Sequence, residues 1–191
     1  LAAVYRQPAM RIEAEYAVSA DGAIAVALRG QKGKQFPPLP RFGLRLFLPR
    51  AMREAEYFGY GPHESYQDKH RASRRARFAT TAERNHEDYI RPQENGSHYA
   101  CDYVTVTDGR CGLCAIPQGT LSFSLSPYTQ EELAARAHHF ELEPCEDTVL
   151  CLDGAMGGVG SNSCGPELRP EYRLDAERYE LRLTLLPVIG E

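Results

Sequence analysis

The chain has 191 residues, of which 42% are hydrophobic and 25% charged, so its length and composition suit one large globular domain or two small ones. This balance excludes a disordered chain, a collagen-like repeat and a coiled coil, and no apolar run reaches the ~20 residues that a membrane helix requires. The net charge of -4 argues against a general nucleic-acid binder, and 16 glycines with 13 prolines indicate many turns.

Strands dominate the predicted secondary structure. Apolar and polar side chains alternate with the period of two of a half-buried strand, and Asp21-Gly22 and Asp108-Gly109 supply hairpin turns because Asp and Gly tolerate positive φ. The predicted strands cover residues 11–18, 24–28, 44–48, 54–60, 98–107, 111–116, 121–126, 148–153 and 179–185. Residues 61–88 do not read as strand, and the basic stretch His63 to Arg77 within them predicts a long solvated surface excursion.

One helix is predicted after the strand at 121–126. Thr129 and Glu132 fit a capping box, in which each side chain satisfies a backbone N–H at the helix start. The apolar stripe of this helix would comprise Leu133, Ala137 and Phe140. His138-His139 would lie at the helix C-terminus, where imidazole is favourable against the helix dipole, and adjacent helical side chains diverge too far to chelate one ion. Many strands, hairpin turns and one short helix predict an all-β fold, a large antiparallel β-sandwich.

Two motifs suggest a metal or cofactor site, but each lacks the features that such a site requires. Cys111-Gly-Leu-Cys114 falls on a predicted strand, where residues three apart point to opposite faces, and no second ligand pair completes a zinc site. The glycine-rich stretch 157–163 resembles a phosphate loop but lacks the Walker lysine and a following helix. We therefore expect no cofactor in this chain. Six cysteines are an ordinary fraction for a reduced cytoplasmic protein, and the cytoplasm is the expected location.

Three segments, taken in order, resemble one family. Residues 59–68 read G-Y-G-P-H-E-S-Y-Q-D and match the G-x-G-P-x-E-x-Y-x-D signature in the C-terminal, small-chain region of large bacterial β-galactosidases of glycoside hydrolase family two. Residues 92–96 match the P-Q-E-N-G segment of that region, and residues 153–168 match its late glycine-rich loop. Each motif alone has low specificity, but the ordered set, over about residues 4–186, identifies the chain as a member of this family.

The resemblance implies a fold and a context. Residues 1–191 would form a single domain with the supersandwich fold shared with galactose mutarotases, at the C-terminus of a retaining glycoside hydrolase that cleaves terminal β-D-galactosides such as lactose. The acid/base and nucleophile glutamates, and the magnesium and sodium ligands, would lie in an upstream (β/α)8 barrel of ~250 residues, for which this chain has no room. We therefore expect no catalytic residue and no metal ligand here, an inactive isolated chain, and a homo-oligomeric parent without nucleic-acid or membrane partners. The start at Leu1, without Met, suits a piece of something larger.

The resemblance also places one substrate contact in this chain. The late loop would reach over the barrel mouth, where the family's aromatic residue stacks on the sugar, and Cys164 stands at that position here. A thiol offers no π face, so the stacking contribution of ~0.5–1.5 kcal/mol would shrink. Cys164, with its neighbours Asn162 and Ser163, forms the predicted substrate-binding set; the alternative is a loop merely packed against the barrel.

Other functions stay open from the residues alone. A stand-alone aldose 1-epimerase of the mutarotase type would need a histidine and a carboxylate as general acid and base, for which His63, His98 and Glu94 are the candidates. A carbohydrate-binding module would rely on exposed aromatic platforms, although the chain has no Trp. Hydrolysis within the chain would need two carboxylates ~5 Å or ~6.5–9.5 Å apart. Glu94 and Asp153 stand in distinctive contexts, but each is typical of a turn or cap residue.

Overall fold

The computed structural model describes residues 8–159 and 167–190, and over these residues it contains eleven strands, one α-helix and two 3₁₀ turns. The strands are β1 Met10–Val18, β2 Ile24–Lys32, β3 Arg41–Pro49, β4 Glu54–Gly61, β5 Arg74–Thr81, β6 Ser97–Cys101, β7 Tyr103–Thr107, β8 Cys111–Pro117, β9 Leu121–Ser126, β10 Asp147–Met156 and β11 Arg178–Ile189. The helix α1 is Gln130–Ala135, and the 3₁₀ turns are His139–Glu141 and Pro170–Tyr172. Within these described ranges, no helix is long and apolar enough to cross a membrane.

Two antiparallel sheets pack face to face, which confirms the predicted all-β sandwich. The larger sheet has the strand order β1-β2-β11-β8-β7-β4-β5 and the smaller one β3-β10-β9-β6. Tyr57 on β4 meets Phe123 on β9 edge to face, with ring centroids 4.9 Å apart, and both side chains are fully buried. Gly22 and Gly109 have φ of 84° and 87°, so both predicted hairpin turns are confirmed.

The basic segment differs from its prediction, because β5 is an edge strand paired with β4 along its whole length. Its outward side chains are charged and contact the neighbouring strand. Arg75 lies over the Phe58 ring, 5.4 Å from its centroid, and Arg77 donates to Glu56 at 2.6 Å. Charged side chains protect an edge strand from pairing with other chains. These charges also mask the alternation in the sequence. The prediction that residues 61–88 contain no strand is therefore wrong for residues 74–81, and the predicted surface excursion is wrong for residues 74–77.

The single strand predicted over 98–107 is in fact two strands in different sheets. The chain leaves the smaller sheet after β6 and enters the larger one at β7, and between them the N–H of Asp102 donates to the Phe58 carbonyl at 2.9 Å. At this corner Ala100 has φ of 50°. A Cβ on Gly59 would lie 2.3 Å from the Cys101 sulfur, so the corner requires glycine on β4.

The helix begins as predicted and then ends early. Thr129 Oγ1 accepts the N–H of Glu132 at 3.1 Å, which confirms the N-cap. The other half of the predicted capping box is wrong, because the Glu132 carboxylate accepts from Arg136 and from the Glu143 N–H instead of from Thr129. The helix ends at Ala135 and buries only its Leu133 side chain. Phe140 lies in the following 3₁₀ turn and is 75% exposed, so the predicted apolar stripe is wrong beyond its first member. His138-His139 likewise lies at this 3₁₀ turn instead of at the end of α1.

The larger sheet extends beyond the smaller one on the β1 side. Phe42 on β3, the free edge of the smaller sheet, packs against Tyr179 on β11 with ring centroids 5.5 Å apart. β1 lies two strands further out than β11. Tyr16 on β1 stands directly opposite Val26 on β2, so the two side chains share the inner face, yet Val26 is 2% exposed and Tyr16 57%. Among residues 8–159 and 167–190, nothing covers the inner face of β1.

Candidate functional site

A tight turn between β4 and β5 carries the end of the 59–68 segment. The backbone groups of Tyr66 and Lys69 exchange hydrogen bonds of 2.8 and 3.1 Å, which leaves Gln67 and Asp68 at the tip. The turn is anchored from within, because Tyr66 is 2% exposed and the N–H of Ser65 donates to the Ser97 carbonyl at 2.7 Å. The last residues of the signature therefore form a turn whose position relative to the sandwich is fixed.

Glu64 joins this segment to the P-Q-E-N-G segment. Its side chain is 7% exposed and accepts from Lys69 Nζ at 2.5 Å, from the Gly96 N–H at 3.0 Å and from the Tyr89 hydroxyl. Burial alone would raise the pKa of Glu64, but these three donors outweigh it and hold the pKa below its usual value. Glu64 is thus an ionised acceptor that fixes residues 64–69 against Gly96.

Arg41, at the start of β3, joins the P-Q-E-N-G segment to the late segment. Its Nε and Nη2 donate to the two oxygens of Asp153 at 3.1 and 2.6 Å, and its Nη1 donates to Glu94 at 3.0 Å. Asp153 is 3% exposed. Burial raises the pKa of both carboxyls, although Arg41 opposes the rise, and the two acids raise the pKa of Arg41 against its own burial. Asp153 lies within β10, so the turn or cap role that its sequence context suggested is wrong for it, whereas Glu94 does lie at a bend in the loop before β6.

Three consecutive backbone N–H groups at the start of the glycine-rich stretch are hydrogen-bonded to neighbouring segments. The N–H groups of Gly157, Gly158 and Val159 donate to the Pro40 carbonyl at 2.8 Å, the Tyr172 carbonyl at 3.0 Å and Asp68 Oδ1 at 3.1 Å. A Cβ on Gly158 would lie 2.6 Å from the Asp68 carboxyl carbon, so only glycine permits this approach. All three sequence segments therefore meet at one end of the sandwich.

A cleft of about 620 Å³ opens beside this junction. Glu94 and Arg41 line its charged side, Leu39 and Leu174 contribute to its apolar side, and both ends of the late loop, at Gly157–Val159 and at Leu168, border it. Clefts of this size with a few convergent polar groups are typical small-molecule sites. The predicted substrate-binding residues Asn162, Ser163 and Cys164 lie outside the described residues, so that assignment stays a prediction.

The epimerase candidates do not form one site. His98 is 1% exposed inside the sandwich and bonds Asn85 and Tyr57 at 2.7 and 2.9 Å. Burial lowers the pKa of His98 to about 4. His63 is exposed, and Glu94 is bound to Arg41 at the cleft. Over residues 8–159 and 167–190, no hydrogen bond or ion pair joins these three side chains, so the described structure does not bring them together as an acid–base pair.

The cysteine motif lies on a strand, as predicted. Cys111 and Cys114 are free thiols on β8, and Cys111 is exposed while Cys114 is half-buried. Among the residues that the structure describes, no group of three or more His, Cys, Asp or Glu side chains is placed to hold a metal ion.

Arg41 and Gln67, which connect the segments, were not predicted from the sequence. Gln67 occupies a variable position of the signature, and Arg41 follows a proline-rich loop with no charge pattern around it. The available signal was indirect: two acids in distinctive contexts, Glu94 and Asp153, needed a common cation.

Comparisons with known proteins show the family of this chain. The family model described as beta galactosidase small chain matches residues 2–185. A "Beta-galactosidase" of Actinobacillus pleuropneumoniae is 42% identical over 186 residues, covering 97% of this chain and 18% of that protein. A "Beta-galactosidase" of Staphylococcus xylosus is 40% identical over 168 residues, covering 88% and 17%, and one of Vibrio cholerae is 34% identical over 178 residues, covering 93% and 17%. The chain therefore spans less than a fifth of the length of these relatives. It belongs to the β-galactosidase small-chain family.

Proposed function

We propose that this chain is a non-catalytic C-terminal domain of a β-galactosidase, and that it completes the rim of an active site whose acid and nucleophile lie upstream. The observation that carries the proposal is the junction of three distant segments, which fixes both ends of the glycine-rich loop beside an open cleft. The substrate class, terminal β-D-galactosides such as lactose, comes from the relatives' name and from the family resemblance.

The two acids that Arg41 binds support a structural role for this domain. A retaining hydrolase needs one carboxylate that attacks the sugar and one that donates a proton to the leaving group. Asp153 is 3% exposed, and both its oxygens are bound by Arg41, so it can do neither. Arg41 also binds the Glu94 carboxylate. This ionic cluster braces the loop, and the chemistry belongs to groups outside the chain.

The substrate contact is assigned to the loop itself. Cys164, with Asn162 and Ser163, would meet the sugar, and the thiol would give a weaker contact than an aromatic ring by ~0.5–1.5 kcal/mol. The parent enzyme would hold its magnesium and sodium in the upstream (β/α)8 domain and would assemble as a homo-oligomer. A cytoplasmic location is supported by free thiols at Cys101, Cys111, Cys114, Cys145 and Cys151.

Activity measurements on the isolated chain and on the full-length polypeptide test the proposal. The isolated 191-residue chain should not hydrolyse a nitrophenyl β-galactoside, whereas the full-length polypeptide that contains it should. The control is the same full-length polypeptide with this region deleted, which should lose activity. Turnover by the isolated chain at the rate of a full-length enzyme would refute the proposal.

Two further assays on the isolated chain separate the alternatives. Polarimetry of galactose anomers should show only the spontaneous rate, and accelerated interconversion would support the epimerase instead. Calorimetric titration with galactose or lactose should show no binding at millimolar concentrations, and binding in that range would support a carbohydrate-binding module.

A further inference from the structure

The side chain of Gln67 connects the two ends of the late loop. Its Nε2 donates to the Met156 carbonyl at 2.7 Å, before the loop, and to the Tyr172 carbonyl at 2.8 Å, after it. A primary amide carries two N–H donors on one nitrogen, and here both are used. The Tyr172 carbonyl also accepts the Gly158 N–H at 3.0 Å, so the two ends are joined directly as well.

The position of Gln67 is itself fixed. It lies at the tip of the turn closed by Tyr66 and Lys69, beside Asp68, whose carboxylate accepts the Val159 N–H at 3.1 Å. The turn is held by the Glu64–Lys69 ion pair, with 2.5 Å between Oε1 and Nζ. A side chain on a rigid support can impose a distance on the groups that it binds, because little of its binding energy is lost to ordering.

We infer that Gln67 is a positioning residue for the two ends of the late loop, which border the cleft, and that it acts by setting the separation of the Met156 and Tyr172 carbonyls. This inference rests on the proposed function, since it assigns a cause to the placement of the same loop. Gln67 is not a member of the proposed substrate-binding set; it holds the described ends of the loop that carries that set. Its effect therefore belongs mainly to substrate binding, and removing its two hydrogen bonds should raise KM roughly tenfold, with a smaller change in kcat.

The matched substitution is Gln67→Glu. The carboxylate keeps the size of the amide but has no N–H, so it would face two carbonyl oxygens and push the loop ends apart. Gln118→Glu is the control, because Gln118 is exposed between β8 and β9 and the change adds the same charge. Gln67→Met removes the donors without adding charge and serves if the first variant does not fold.

The experiment uses the full-length polypeptide and two readouts. One is KM and kcat for a nitrophenyl β-galactoside; the other is amide hydrogen exchange in peptides that cover residues 154–174. We expect Gln67→Glu to raise KM and speed exchange at Gly158 and Val159, while Gln118→Glu changes neither.

A purely structural role of Gln67 would instead lower Tm and leave KM unchanged. Faster exchange with an unchanged KM, or no change in either, would overturn this inference alone. Failure of the unaltered full-length protein to hydrolyse the galactoside would overturn the proposed function and this inference with it.

Discussion

His98 should make the stability of the protein depend on pH in a defined direction. The side-chain amide of Asn85 donates to the carbonyls of Gly96 and Leu125 at 2.6 and 3.3 Å, which turns its oxygen toward His98 Nε2 at 2.7 Å. We therefore assign the proton of the neutral imidazole to Nε2. Nδ1 lies 2.9 Å from the Tyr57 hydroxyl and 3.1 Å from the Tyr60 carbonyl, and in this tautomer it accepts from the hydroxyl and makes no hydrogen bond to the carbonyl.

The magnitude follows from burial. The ring is 1% exposed, and burial lowers the pKa of His98 from 6.5 to about 4. Between these values the unfolded chain binds a proton that the native state does not, so the free energy of unfolding falls as the pH is lowered. Over the whole window the loss is about 3 kcal/mol, which is a large share of the stability of a typical domain.

Chemical denaturation of the chain at pH 7.0, 5.5 and 4.5 measures this loss. The reference is His98→Gln, whose amide can donate to Asn85 and accept from Tyr57 but does not titrate, so the contributions of all other groups cancel in the comparison. Between pH 7.0 and 4.5 the unaltered protein should lose about 2–3 kcal/mol more than the variant. Equal losses in both proteins, or an NMR titration of the His98 ring near pH 6.5, would refute the reasoning.

Three further substitutions test the packing, each by chemical denaturation at pH 7. Arg41→Met leaves the buried Asp153 charge without a partner and should destabilise by about 3–5 kcal/mol, and the double change with Asp153→Leu should recover most of this. If the single and double variants are equally unstable, the ion pair is not the cause. Gly43→Ala puts a Cβ 2.3 Å from a backbone carbonyl of β10 and should cost at least about 1–3 kcal/mol. Gly154→Ala should cost less, because its Cβ would meet the Leu181 side chain at 3.1 Å and a backbone oxygen only at 3.4 Å. The reverse order would contradict the contact analysis. Thr129→Ala removes the cap of α1 and should cost about 1 kcal/mol, and no change would mean that the cap is replaced by water.

The sequence predicted the elements whose signals are local. Alternation located most of the strands, and the two Asp-Gly hairpin turns formed because each carries its own conformational preference. The β5 strand escaped notice because an edge strand presents charged side chains to solvent. The corner between β6 and β7 was missed because nothing between residues 98 and 107 marks a change of sheet; the cause is contact with Gly59, some forty residues away.

The candidate site was predictable only in part, for a related reason. The three segments were recognisable as motifs, but their contacts depend on which loops meet at one end of the sandwich. Asp153 lies 112 positions from Arg41 in sequence, and Met156 lies 89 positions from Gln67. Contacts between residues so far apart in sequence produce no periodic pattern from which they could be predicted. An isolated acid in a buried strand, Asp153, was the one sign that a distant cation must exist.

The uncovered inner face of β1 has a practical consequence for work on this domain by itself. Tyr16 and Val18 are 57% and 72% exposed on a strand whose outer edge has no neighbour in the described sheet. Apolar edge strands without a neighbour associate with further copies of the same protein as its concentration rises, and this association does not depend on Tm. Aggregation would thus limit how long the purified domain can be stored. Dilution or the substitution Tyr16→Lys would prolong storage more than a higher Tm would.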